Sequence, residues 1–314
     1  MPDSQGARIL LVTRNLPPLV GGMERLNWHM ADELSKYAEV RIVGPAGSAA
    51  TAPATVKVDE VPLRPLWKFL IQVQWRAWRV ARAWKPDVVL AGSGLTAPAA
   101  LLAARGCGAH AAVYVHGLDL AVRHLIYRCL WQPALRCMDR VIANSRSTAT
   151  LAQSIGVEPG RIGIVCPGVD LPADTVVPVC DATGPGERSL AQVTQEKAGA
   201  TNFRQRHHFG DRPLLLSVGR LSTRKGLREF VAQALPRIVA VHPDTLFLVV
   251  GDAPSDALHA KAQTRKSIQV TAAQAGVAEN LHFLGTITDY QMLGSVYRSA
   301  DVHVFPVRDI SGDP

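Results

Sequence analysis

The segment Gly219-Arg220-Leu221-Ser222-Thr223-Arg224-Lys225-Gly226 concentrates charge and backbone freedom in one turn. It follows the apolar run Leu214–Val218, which reads as a buried strand. It precedes Leu227, Val231, Ala234, Leu235 and Ile238, which recur at helical spacing. Glycine lets the main chain approach a ligand closely, and a helix start offers unbonded N–H groups and the positive end of a dipole. Arg220 and Lys225 add two full charges at the same point, so the turn suits a diphosphate. Taken alone, a basic strand-to-helix loop is ordinary solvated surface, and its meaning depends on context. Neither Gly-x-x-x-x-Gly-Lys-Ser/Thr nor Gly-x-Gly-x-x-Gly occurs, which argues against a P-loop nucleotidase and a dinucleotide fold.

The elements that must position this turn alternate along the chain. Candidate strands are Arg8–Thr13, Val40–Val43, Val56–Val61, Asp87–Ala91, Ala111–Val115, Val141–Asn144 and Ile162–Val165. Helical segments Met23–Tyr37, Trp67–Trp84, Thr96–Ala104, Leu118–Cys137 and Ser147–Ile155 lie among them. The alternation predicts a parallel sheet covered on both faces over residues 1–170. Residues 171–211 carry Pro172, Pro178, Gly184, Pro185 and Gly186 without a sustained apolar period, and read as an interdomain linker with a flexible insertion. His207 and His208 close that stretch beside Arg204 and Arg206; a solvated linker explains them better than a metal site.

A second alternation fills 212–314: a strand at 214–218, helix Leu227–Val241, strand Leu246–Val250, helix Asp256–Ala275, strand Leu281–Leu284, helix Tyr290–Ser299 and strand Val302–Phe305. Its last strand lacks a covering helix, so this domain is expected to be incomplete.

Composition narrows the classes. At 314 residues the chain should hold about two domains. Hydrophobic content of 47% against 19% charged excludes a disordered chain. The net charge of +8 favours anionic partners: phosphorylated ligands or anionic lipid. Nucleic acid is not expected, because no dense basic run or aromatic-basic RNA motif appears. Cys107, Cys129, Cys137, Cys166 and Cys180 form no Cys-x-x-Cys pair, which fits reduced thiols. No signal peptide and no apolar run of about 18 residues is found, so a cytoplasmic protein is expected.

Two doubly wound domains, with Gly21-Gly22 after the first strand and the Arg220/Lys225 pair after the first strand of the second domain, resemble a GT-B glycosyltransferase. The likeness is greatest to the retaining glycosyltransferase family 4. It rests on Gly21-Gly22-Met23-Glu24, His116-Gly117, Ala143-Asn144-Ser145, Pro167-Gly168-Val169-Asp170, Arg220 with Lys225, and Phe283-Leu284-Gly285, in that order. In such enzymes a nucleotide-diphosphate sugar lies in the cleft between domains, held mainly by the second. The resemblance implies that Arg220 and Lys225, with Gly219, neutralise the departing diphosphate, so that neither metal nor cofactor is needed. It implies that Gly21 and Gly22 approach the donor phosphates. It also implies that His116, at the carboxyl end of Ala111–Val115, contacts the transferred sugar, with Asp119 a weaker candidate. The loop Thr286-Ile287-Thr288 matches the one whose main chain meets the nucleotide base, through Ile287 and Thr288, while Asp170 is read as structural. The family's paired glutamates would lie just past the last strand, so the sequence is read as a truncated chain that transfers little sugar.

Residues 67–85 form a second feature. Leu70, Val73, Ala77, Val80, Ala81 and Trp84 share one helical face, with Lys68, Arg76, Arg79 and Arg82 opposite and Trp67, Trp75 and Trp78 near the edge. An amphipathic helix docked on the sheet explains the first face. Three indoles on the polar side suit a layer of anionic headgroups. The expectation is peripheral binding to the inner face of the cytoplasmic membrane, where a lipid-linked or glycan acceptor would be met during cell-surface glycan or glycolipid synthesis. Two other readings stand beside it: a GT-B sugar-nucleotide epimerase, and a noncatalytic remnant or binding module.

Overall fold

The computed structural model describes residues 6–122, 124–168, 203–253 and 263–307. The chain divides into two compact units, Met1–Val169 and Asp170–Pro314.

The first unit is built on a seven-stranded sheet in the order β3-β2-β1-β4-β5-β6-β7. Its strands are β1 (Arg8–Val12), β2 (Glu39–Pro45), β3 (Lys57–Val61), β4 (Val88–Ala91), β5 (His110–Val115), β6 (Arg140–Ala143) and β7 (Ile162–Ile164). Every neighbouring pair is parallel. β1 sits centrally, with Ile9 opposite Val40 of β2 and Val88 of β4. The chain runs outward on one side as far as β3, then returns to β4 on the other. That reversal places a crevice at the carboxyl ends of β1 and β4, the place where open α/β sheets hold ligands.

Alternation along the strands separates two cores. Leu10, Val12, Val89, Val113 and Val115 pack under a helical layer made of α2 (Leu66–Trp84), α3 (Ala97–Cys107), α4 (Leu125–Arg136) and α5 (Arg146–Ser154). Leu11, Ile42, Leu90 and Ala112 face the other way, toward Ala31 of α1 (Gly22–Ser35). The small residues Ala97, Ala100, Ala103 and Ala104 let α3 lie close to the sheet, each fully buried. In α2 the buried set is Phe69, Val73, Ala77, Val80 and Ala81. Leu70 and Trp84 are only partly buried, and Phe69 takes a core position that the helical pattern did not pick out.

One helix begins later than its sequence suggests. The segment expected to be helical from Leu118 starts at Leu125. Gly117 adopts a left-handed φ of 94°, and its carbonyl accepts the N–H groups of Leu120 (3.0 Å) and Ala121 (3.1 Å) in a tight turn. The Asp119 carboxylate is drawn to the N–H groups of Gly94 and His116, which keeps residues 118–122 out of the helix.

The second unit carries a four-stranded parallel sheet ordered β10-β9-β8-β11. Its strands are β8 (Leu214–Val218), β9 (Leu246–Val250), β10 (Leu281–Gly285) and β11 (Val302–His303). The helix expected over 227–241 is two helices, α6 (Leu227–Gln233) and α7 (Leu235–Val241). Pro236 causes the break, because it has no N–H to offer the carbonyl of Ala232. Of the helix expected over 256–275, residues 256–262 lie outside the described residues, and within the rest runs α8 (Arg265–Gln274), capped by the Thr264 hydroxyl. The last helix, α9 (Tyr290–Ser299), has its expected bounds. Phe203 and Phe209 are buried with Leu214, Leu216 and Leu248 in this unit's core. Residues 203–211 therefore pack with the second unit, where the sequence reading places them in a linker. Residues 169–202, which hold most of that linker and Asp170, lie outside the described residues.

Candidate functional site

In the first unit the sequence-selected residues gather at the carboxyl ends of β1, β4 and β5. Gly21 caps α1 without a side-chain hydrogen bond to the first-turn N–H groups, and a side chain placed on Gly22 would meet open space. The helix start is thus approachable by a ligand, as the paired glycines suggest. The third residue of that motif behaves differently. Glu24 is buried, and its carboxylate accepts 2.7 Å from the Asn15 side-chain amide. The Asn15 backbone N–H in turn donates to Thr13 Oγ1 at 3.0 Å. Glu24 therefore fixes the loop after β1 against the helix start, and burial around Arg14 lowers that guanidinium's pKa while the Glu24 charge raises it.

His116 follows β5 and is half-buried. Its Nε2 lies 3.0 Å from the carbonyl oxygen of Gly92, at the end of β4. If that nitrogen carries the proton, Nδ1 is the ring atom left to accept. The His116 backbone N–H donates to Asp119 Oδ1 at 3.0 Å, while Asp119 Oδ2 accepts from the Gly94 N–H at 2.8 Å. One carboxylate thereby ties the loop after β4 to the loop after β5. Tyr127 of α4 packs beneath this junction, so close that a side chain on Gly94 would run into its hydroxyl at 2.9 Å. Burial and the nearby Asp119 charge push the Tyr127 phenol well above its usual range. In the segment Ala143-Asn144-Ser145, Ser145 is the N-cap of α5, accepting from the Thr148 N–H at 3.2 Å.

In the second unit, β8 ends at Gly219 and runs through Arg220 into a short 3-10 turn, Thr223–Lys225. Gly226 then takes a left-handed φ of 61° and opens α6. The Lys225 side chain folds back along Gly219, its Nζ 3.6 Å from where a Cβ on that glycine would sit. Burial, then the charges of Arg224 and Arg220, push the Lys225 pKa down. No ion pair joins any of these three cations to a carboxylate among the described residues. The structure therefore concentrates positive charge in a turn where Lys225 is half-buried and Arg220 and Arg224 are exposed, an arrangement that an anion would relieve.

Strands β8 and β9 are each followed by a glycine of positive φ, Gly219 at 152° and Gly251 at 123°, and the adjacent β10 ends on Gly285 at 73°. The Gly219 N–H donates to Val250 at 2.9 Å, and the Gly251 N–H donates to Gly285 at 2.7 Å. A side chain on Gly251 would collide with the Gly219 carbonyl oxygen. Together they make a shelf of bare main chain beside the cations. Gly251 escaped the sequence reading, although the run Leu246–Val250 ends in glycine as Leu214–Val218 does. Past Gly285, Ile287 is packed on the core and Thr288 is exposed. Asp289 then caps α9, accepting from Gln291 at 2.8 Å. Ile287 can thus offer a ligand its main chain rather than its side chain.

The chain matches the Glycosyltransferase Family 4 profile over residues 20–172 and the Glycosyl transferases group 1 profile over residues 200–309. Together the two profiles make it a family 4-like glycosyltransferase. A GDP-mannose-dependent alpha-(1-6)-phosphatidylinositol monomannoside mannosyltransferase of Mycolicibacterium smegmatis is 26% identical over 319 residues, covering 96% of this chain and 72% of that protein. A glycogen synthase of Mycobacterium tuberculosis is 25% identical over 335 residues, with 95% and 72% covered. Among solved structures, Anabaena HepE in complex with UDP superposes with a TM-score of 0.71 at 16% identity, covering 96% of this chain and 74% of that one. Sucrose-phosphate synthase from Thermosynechococcus elongatus gives a TM-score of 0.70 at 17% identity, covering 96% and 75%. This likeness establishes the GT-B fold. The family profiles decide for a glycosyltransferase over the epimerase reading, and its mannosyl- and glucosyl-transferring relatives are consistent with a hexosyltransferase.

Proposed function

We infer that this glycosyltransferase moves a hexosyl group, with retention, from a nucleotide-diphosphate sugar to a lipid-linked or glycan acceptor in cell-surface glycan or glycolipid synthesis. The observation that carries the donor half is the cationic turn of Arg220, Arg224 and Lys225, without a carboxylate partner among the described residues, beside the glycine shelf. As the glycosidic bond breaks, negative charge grows on the leaving diphosphate. Arg220 and Lys225 stabilise that charge from fixed positions, supplying what a divalent ion supplies in other transferases. The main chain at Gly219 and Gly251 lets phosphate or ribose oxygens come close; in the first unit, the open helix start at Gly21 and Gly22 offers main-chain N–H groups to an anion. His116, with Nδ1 free to accept, would orient a sugar hydroxyl near the reacting carbon.

The test is a calorimetric titration of UDP, GDP and ADP into the protein and into its Arg220→Ala and Lys225→Ala variants. One nucleotide should bind, and each variant should lose roughly a hundredfold in turnover with the matching donor, the scale of losing one oxyanion-stabilising group. Unchanged affinity and turnover in both variants would reject the reading.

The acceptor half rests on α2. Trp67, Trp75 and Trp78 are exposed. Each lies under a cation: Lys68 Nζ is 5.6 Å from the Trp67 ring, Arg79 is 4.5 Å from Trp75, and Arg82 is 4.9 Å from Trp78. Paired indoles and cations suit the interface of an anionic leaflet. Sedimentation with anionic vesicles should exceed that with neutral ones, and equal, negligible binding to both would discard membrane docking. No described helix is long and apolar enough to cross a membrane.

A further inference from the structure

Helix α4 presents an apolar strip to solvent that its own packing does not use. Its inward face is filled: Tyr127 and Trp131 stack at 5.4 Å, the Trp131 indole donates to Leu95 at 2.8 Å, and Ala134 and Leu135 are buried. On the outward side Ile126, Cys129, Leu130 and Pro133 follow the i, i+3, i+4, i+7 spacing of a second amphipathic face. Ile126 is 59% exposed and Leu130 60%. Leu125, at the start of α4, and Leu118, in the same loop as His116 and Asp119, are exposed as well.

Charge specifies what covers this strip. Helices α2, α3 and α4 belong to one layer on the same face of the sheet. None of the three contains an aspartate or glutamate. They carry Lys68, Arg76, Arg79, Arg82, Arg105, Arg128 and Arg136, of which Arg76 and Arg105 pair with Asp59 and Asp139, and exposed Leu102 of α3 lies on the middle helix. A whole helical layer without an acidic residue, bearing exposed indoles on one helix and exposed aliphatics on another, is complementary to an anionic bilayer. An acidic protein partner would match the charge but leave the aliphatic strip unexplained.

We propose that the α4 strip, with Leu118, is a hydrocarbon-inserting element that docks together with α2, so that the His116 loop rests at the surface of the bilayer carrying the acceptor. The proposal deepens the membrane reading of α2 and depends on it. In this division of labour α2 supplies the salt-sensitive attraction and α4 the salt-resistant hold.

Vesicles of phosphatidylglycerol and phosphatidylcholine, at low ionic strength and at about 0.5 M salt, where exposed charges are screened, separate the two. The Ile126→Asn/Leu130→Asn variant should be recruited at low salt but lose about tenfold in partitioning at high salt, the scale of withdrawing a few methylenes from lipid. The Arg79→Gln/Arg82→Gln variant should lose the low-salt component instead. A single-cysteine form retaining Cys129, labelled with a polarity-sensitive fluorophore, should shift to the blue on vesicles. Both variants alter exposed positions, and equal melting temperatures would confirm that they fold. If the strip variant matches the parent at both salt concentrations and the probe does not shift, the α4 proposal falls while α2 docking survives. A parent that ignores anionic vesicles at every salt concentration sinks both. A parent that elutes as a dimer which the strip variant abolishes, with vesicle binding unchanged, would make the strip a protein interface and overturn the proposal.

Discussion

To serve the proposed donor site, the ammonium of Lys225 must stay charged where its surroundings favour the neutral amine. Burial and two neighbouring guanidiniums push its pKa down from the ordinary 10.5. A bound diphosphate reverses the electrostatic part of that pressure. Nucleotide affinity should accordingly fall with rising pH earlier than it would for an unperturbed lysine. A pH series of titrations should show this decline in the parent and a flatter profile in Lys225→Arg, because guanidinium holds its proton throughout. Stability moves the opposite way: between the lowered folded value and 10.5 the unfolded chain binds more protons, so folding becomes more favourable as pH rises through that window. Gly251 is the other decisive position. At a φ of 123°, a side chain would strain the backbone and strike the Gly219 carbonyl. Gly251→Ala should lower the melting temperature by several degrees and weaken nucleotide binding, and a variant with parental melting and affinity would contradict the shelf.

Among the elements, the rim loops of the first unit depend on a few polar ties. Asp119→Asn keeps one acceptor oxygen and loses the other, so the loops after β4 and β5 should loosen relative to one another. Turnover should drop by about tenfold or more from misplacement of His116, with circular dichroism unchanged. A purely structural role would lower the melting temperature without moving kcat at a temperature where the variant is folded. Ser145→Ala, removing the α5 cap, should cost about 1 kcal/mol by denaturant unfolding. Strands were legible because fully apolar runs such as Leu246–Val250 have no other home than a covered sheet. The cationic turn was legible because its charges are local in sequence. Three things were not. The late start of α4 depends on the Asp119 carboxylate reaching residues that are distant in sequence. The split at Pro236 was available from composition but masked by the apolar period continuing through it. The Asn15–Glu24 bond joins two polar residues whose burial only the packed helix reveals.

At the scale of the whole molecule, each unit has its own apolar interior. The clusters around Leu10 and Leu11 draw only on the first unit, and those around Leu215 and Leu216 only on the second. Residues 1–169 should therefore fold and melt cooperatively when expressed alone, as a domain with its own core does; a non-cooperative melt would show that the first unit needs the second. Two doubly wound sheets were readable from alternation alone, whereas the membership of residues 203–211 in the second unit hinges on Phe203 and Phe209, which sequence pattern gave no reason to bury. The tie through Asp119 has a consequence for how such a protein diversifies. Because that carboxylate grips a peptide N–H at 116, the side chain there can be exchanged while the grip endures, whereas position 94 must stay glycine. Selection can then retune what is welcomed at this rim without rebuilding the scaffold that presents it.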